Sequence, residues 1–240
     1  MGSTADKHAR GQVLVVGGSR ETPGGVLLAG IAALRVGAGR LQLATADSVA
    51  RELAIAVPEA RVIGLLENNS GTVFGSAANA VSAETEGADA VLVGTGALDA
   101  DETGELLCGL LQYVGDTTTI IIDAAGLGFL AQESAMLLRF SGRTVVTLRS
   151  VETWTSAPGE SRFRDRSGHA ALGTAGSGDV LAGALTGLAA RGADPLRATL
   201  WAVHCHGLAG EAAAGRGPGI GLLARELLAE LPYVLRSLEA

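Results

Sequence analysis

The stretch "ALGTAGSGDVLAGALTGLAARG", residues 171–192, decides how this chain is read. Gly173, Gly176 and Gly178 crowd into one turn, Asp179 follows, and an apolar helical pattern begins at once. Glycine costs about 1 kcal/mol relative to alanine inside a helix, so a helix entrance built from it implies a use. A helix N-terminus offers N–H groups without intrahelical partners and a partial positive charge, and so binds anions. Removing Cβ at positions 176 and 178 lets that backbone approach a phosphate. In open α/β sheets such ligands sit at the carboxyl ends of the strands.

Outward from this stretch, aliphatic runs alternate with helical patterns. Strands are expected at residues 12–17, 40–45, 60–66, 88–96, 117–126 and 143–148. Helices are expected at 24–39 behind Pro23, 46–57, 76–87, 101–115 and 127–142. Residues 153–168, "TWTSAPGESRFRDRSG", read as a β-hairpin turning at Pro158-Gly159. Three more helices follow, at 178–192, 194–215 and 220–239. Strands regularly separated by helices predict an α/β, three-layer fold with a mostly parallel sheet covered on both faces.

Composition agrees. Apolar residues make up 48% and aromatics only 3%, so the core must be aliphatic, as in buried parallel strands. The 35 glycines, about twice the usual share of ~7%, are spread through the pattern and mark tight turns and close approaches. The net charge of −7 and the lack of a basic stripe exclude nucleic acid as a partner class. No apolar run reaches the ~18–20 residues that span a membrane, so no membrane partner is expected. Cys108 and Cys205 lie far apart in apolar helical patterns, which predicts buried thiols in a reduced, cytoplasmic protein. Residues 1–10 are expected to be a disordered or tag-like tail, and 11–240 a single domain.

Four loops fall at predicted strand ends: "GGSRETPGG", "GTGALD", "DAAG" and "GTAGSGD". Any one of them is as readily a plain tight turn. In the last, Asp179 reads either as an N-cap or as a general base beside an anion site. A cap there would more simply be serine or threonine, since phosphate repels an acid, and this favours the base. His204 and His206, two apart on a helix, face different directions and make a poor metal pair. His206-Gly207 reads as packing.

Residues 173–213, from "GTAGSGDVLAGALTG" to "HCHGLAGEAA", resemble the C-terminal signature of the ADP/ATP-dependent NAD(P)H-hydrate dehydratases of the ribokinase-like superfamily. That family shows G-T-G-G-S-G-D-V-L-A-G, so Ala175 replaces one glycine. The resemblance extends to "VLVVGGSRETPGGVLLAG", "AVPEARV", "VLVGTG" (family G-P-G-L-G) and "IIIDAAGL" (family D-A-D-A-L), in order along nearly the whole chain. It implies a ribokinase-like fold and repair of hydrated NADH or NADPH (NADHX, NADPHX) by phosphorylation of the ring hydroxyl and loss of phosphate. ATP or ADP with Mg²⁺ would be the cofactors.

By match, Asp179 would be catalytic, and the N–H groups of Gly176, Ser177 and Gly178 would form the anion hole. Arg149, Ser150, Val151, Glu152 and Thr153 (family K-G-A-x-T), with Gly178, would lie on the nucleotide side. Gly25, at a family alanine, together with Gly96, Asp123 and Asp179 would bind substrate. Ala125 replaces the second acid of D-A-D-A-L. The family's T-P-H-P-G-E has no counterpart between Leu130 and Arg149, which predicts a more open cleft and weaker activity. A homo-oligomer is expected. The alternatives are a non-catalytic nucleotide-binding paralogue and a kinase for another small hydroxyl substrate. Retained "GSGD" supports the enzyme; the lost T-P-H-P and altered K-G-A-x-T support the paralogue.

Overall fold

The structure is a computed structural model that describes residues 9–128, 137, 139–140, 142–147, 153–155, 163–216 and 220–238. Six aliphatic strands form one sheet: β1 Gln12–Val16, β2 Arg40–Ala46, β3 Ala60–Leu65, β4 Ala90–Val93, β5 Thr119–Ile122 and β6 Thr144–Val146. Their order is β3-β2-β1-β4-β5-β6 and every pairing is parallel. The chain steps outward from β1 to β3, then returns to place β4 on the other side of β1. That reversal opens a crevice beyond the carboxyl ends of β1 and β4, where open α/β sheets bind ligands.

Alternation along β1 feeds two cores. Val13 and Val15 pack under α1 Gly24–Arg35, α5 Ser177–Ala190, α6 Pro195–Arg216 and α7 Ala224–Leu238. Leu14 and Val16 face the other way, toward α4 Ala100–Leu110 and a 3-10 helix, Gly75–Val81. Two helical layers around a parallel sheet are the predicted three-layer α/β architecture. Helix α2 Asp47–Ala56 adds Leu53 to the first core.

Glycines in α5 bring two helix backbones together. A Cβ at Gly183 would overlap the Ala29 carbonyl of α1, and one at Gly187 would press on Ala33 and Val36. The contact sets the N-termini of α1 and α5 side by side above the β1–β4 crevice.

One expected segment differs from the structure, and two reach beyond the described residues. The helix expected at 76–87 divides into the 3-10 helix and α3 Ser82–Glu86. The break is at Val81, whose φ of −124° and ψ of 21° are not helical. Glu102 from α4 also holds the Gly75 N–H at 2.6 Å, fixing the start of this segment. Of the helix expected at 127–142, residues 129–136, 138 and 141 lie outside the described residues. The hairpin has β7 Thr153–Thr155 antiparallel to β8 Phe163–Asp165, and its turn at Pro158-Gly159 lies outside them too. Cys205 is buried as expected, and burial pushes its thiol up to about 11; Cys108 is only half-buried.

Candidate active site

The crevice is built from the loops after β1 and β4. Gly17 to Pro23 leave β1, and Gly94 to Asp99 leave β4. The Gly18 N–H donates to the Thr95 carbonyl at 2.8 Å, and the Thr22 hydroxyl donates to the Gly96 carbonyl at 2.7 Å. Gly96 has φ +66°, which disfavours a side chain. A Cβ at Gly25 would stand 2.7 Å from the Gly96 Cα and N, and 3.3 Å from Asp179 Oδ1. Gly25, Gly96 and Asp179, far apart in the chain, therefore meet at one point.

Asp179 arrives on the first turn of α5. The N-cap position is Gly176, at φ +86°, and no side chain caps this helix. The N-cap reading of Asp179 is thus replaced: it lies inside the first turn, and its Oδ1 accepts a hydrogen bond from the Thr95 hydroxyl. The Ser177 N–H turns back toward the Thr174 carbonyl at 3.4 Å. The N–H groups of Gly178 and Asp179, at the helix start, have no intrahelical acceptor. Helix dipole and open amides together suit an anion placed next to the carboxylate.

Asp123 ends β5, buried, and the Thr147 hydroxyl donates to its Oδ1 at 2.5 Å. Its carbonyl abuts Gly94, so it borders the β4 loop. The adjoining Ala124 has φ +47°, the left-handed region for a residue with a Cβ. On the β2 side, Arg20 pairs with Glu67 at 2.7 Å, and the Ser48 hydroxyl donates to the other Glu67 oxygen at 2.9 Å. Burial raises the Glu67 carboxyl, but the Arg20 and Ser48 hydrogen bonds and the Arg20 charge prevail and hold it low. Arg149, Ser150, Val151 and Glu152 lie outside the described residues, and Thr153 opens β7.

A family model described as NAD(P)H-hydrate dehydratase matches residues 13–154 and 141–233. The chain belongs to this family. The chain is 37% identical to the ADP-dependent (S)-NAD(P)H-hydrate dehydratase of Xanthomonas campestris, over 96% of this chain and 90% of that protein. The fold is shared with a ribokinase-like superfamily protein of Enterococcus faecalis, at TM-score 0.81 and 23% identity, covering 98% of this chain and 90% of the other. It is shared too with the Bacillus subtilis ADP/ATP-dependent NAD(P)H-hydrate dehydratase co-crystallised with ATP/Mg²⁺, at TM-score 0.77 and 23% identity, covering 99% and 93%.

Two residues of this hydrate dehydratase family member were not selected from the sequence. Thr95 touches Asp179, and its signal was a hydroxyl where the family pattern has proline. His206, read as packing, is buried with Nε2 3.0 Å from the Ser177 carbonyl and 3.1 Å from the Ser177 hydroxyl. Burial pushes His206 down to about 4, against the opposing bond to Ser177. It therefore braces the start of α5 as a neutral ring. His204 points elsewhere, to Asp165 at 3.0 Å.

Proposed function

We propose that this chain is a nucleotide-dependent dehydratase that repairs hydrated NADH or NADPH, with ATP or ADP as phosphoryl donor. The supporting observation is the placement of a carboxylate, Asp179, beside an uncapped helix N-terminus at the crevice where Gly25 and Gly96 meet. The ring hydroxyl of the hydrate loses its proton to Asp179 as its oxygen attacks the terminal phosphorus. The P–O bond to the leaving nucleotide breaks as the new one forms. Open N–H groups at Gly178 and nearby hold the transferred oxygens. Phosphate then departs with the C–O electron pair, the neighbouring carbon gives up a proton, and the ring double bond returns.

Among the described residues no cluster of three metal-ligating side chains gathers. One or two carboxylates plus phosphate oxygens is the usual Mg²⁺ environment, so the residues present fit an ion that arrives on the nucleotide. When bound, Mg²⁺ neutralises charge on the phosphates. Arg149 to Thr153 are assigned to the nucleotide side. Residues 11–240 would act as one domain, and the setting would be cytoplasmic. Among the described residues no helix is long and apolar enough to cross a membrane.

The test is Asp179→Asn. Loss of a general base costs about 10²–10⁴-fold in turnover, while nucleotide-induced stabilisation should persist by mass action. A variant that turns over at the parent rate would remove Asp179 from the chemistry. Nucleotide stabilisation without any turnover in the parent chain would favour the non-catalytic paralogue.

A further inference from the structure

We propose that Thr95 is a positioning residue for Asp179, an inference that rests on the assignment of Asp179 as the base. Thr95 is fully buried at the end of β4. Its main chain is fixed from the β1 side: its carbonyl takes the Gly18 N–H at 2.8 Å, and a Cβ on Gly17 would overlap that carbonyl. The following carbonyl, on Gly96, is held by the Thr22 hydroxyl at 2.7 Å, and Thr22 in turn is 2.8 Å from the Ser19 hydroxyl. The Thr95 hydroxyl is thus the tip of a rigid mount.

That hydroxyl donates to Asp179 Oδ1, because an ionised carboxylate only accepts. The bond ties Oδ1 to the β4 side, next to Gly25. The other oxygen, Oδ2, turns toward Gly176, where a Cβ would come within 3.9 Å of it. The acceptor oxygen therefore lies on the side of the α5 entrance, where the phosphoryl group would be held. Without Thr95 the carboxylate is free to rotate about its last bond, and a misplaced base loses the alignment on which proton transfer depends.

The experiment uses the full chain with NADHX, ATP or ADP and Mg²⁺, and measures kcat, KM and melting temperature. T95V keeps the shape and removes the donor; T95S keeps the donor. Hydrogen bonds to charged groups correspond to roughly 10- to 100-fold, so T95V should lower kcat by about that much with KM unchanged. T95S should recover most of the loss, which a purely structural role would not predict. In a D179N background, T95V should have no further effect. Should T95V fail to fold, T95A carries the same comparison. T95V at the parent kcat, equal losses in T95V and T95S, or a T95V loss that persists in D179N would each overturn the role of Thr95 while an inert D179N leaves the base in place. An active D179N would overturn the base assignment and Thr95 with it.

Discussion

Replacing His206 with glutamine should flatten the acid side of the stability profile. His206 sits in α6 with its Nε2 on the Ser177 carbonyl, and burial lowers its pKa from 6.5 to about 4. In the unfolded chain the ring takes a proton near 6.5; in the folded chain it stays neutral until about 4. Between those values the unfolded state binds more protons, so stability rises with pH. The contribution is complete above pH 6.5, is lost as pH falls toward 4, and changes no further below that. At ~1.36 kcal/mol per unit, the loss amounts to about 3 kcal/mol. That is a large part of a typical 5–15 kcal/mol. Urea unfolding of the parent and H206Q, at pH 7.5 and pH 4.5, gives the measurement. Carboxylates titrate in both proteins and cancel in the difference. The parent should lose about 2–3 kcal/mol more than H206Q. Parallel profiles would show that His206 is not held neutral against Ser177, and would refute its role as a brace.

Two further substitutions test the crevice. G25A places a Cβ 2.7 Å from the Gly96 backbone and 3.3 Å from Asp179 Oδ1. It should cost about 1–3 kcal/mol by overpacking and slow turnover by parting the two loops; a melting temperature and kcat equal to the parent's would contradict the close approach. A124G relieves the left-handed strain at φ +47°, worth about 1–2 kcal/mol, against a glycine entropy cost of ~0.5–1 kcal/mol. Chemical denaturation should find it neutral or slightly stabilising, whereas a loss above ~1 kcal/mol would show Ala124 to be relaxed.

The aliphatic runs that became β1, β4 and β5 were legible because these central strands are buried on both faces, leaving runs such as "VLVV" and "TIII" almost without polar interruption, whereas the edge strands β3 and β6 are only partly buried. The order of the strands was not, because pairing β1 with both β2 and β4 is a non-local choice that no single segment encodes. The α5 entrance was readable since its glycines and Asp179 are contiguous. Thr95 and His206 were not. Thr95 lies 84 residues from its partner and His206 lies 29 from Ser177, so only the folded chain brings each pair together. The apparent continuity of 76–87 misled for a different reason. Small residues satisfy both helix types, and Glu102 and the Val81 backbone, not the local pattern, set the break. Asp179 lies inside the first turn and not at the cap, and the identity of the true N-cap, Gly176, depends on a backbone angle that no local residue pattern states.

The most direct test of the central claim is recovery of dihydronicotinamide absorbance from prepared NADHX with Mg²⁺ and either ATP or ADP, run on the parent chain and D179N at matched folding. The account predicts recovery that depends strictly on nucleotide, falls at least ~100-fold in D179N, and leaves the nucleotide-induced rise in melting temperature intact in both proteins. No recovery with either nucleotide, in a parent chain that nucleotide still stabilises, would contradict it.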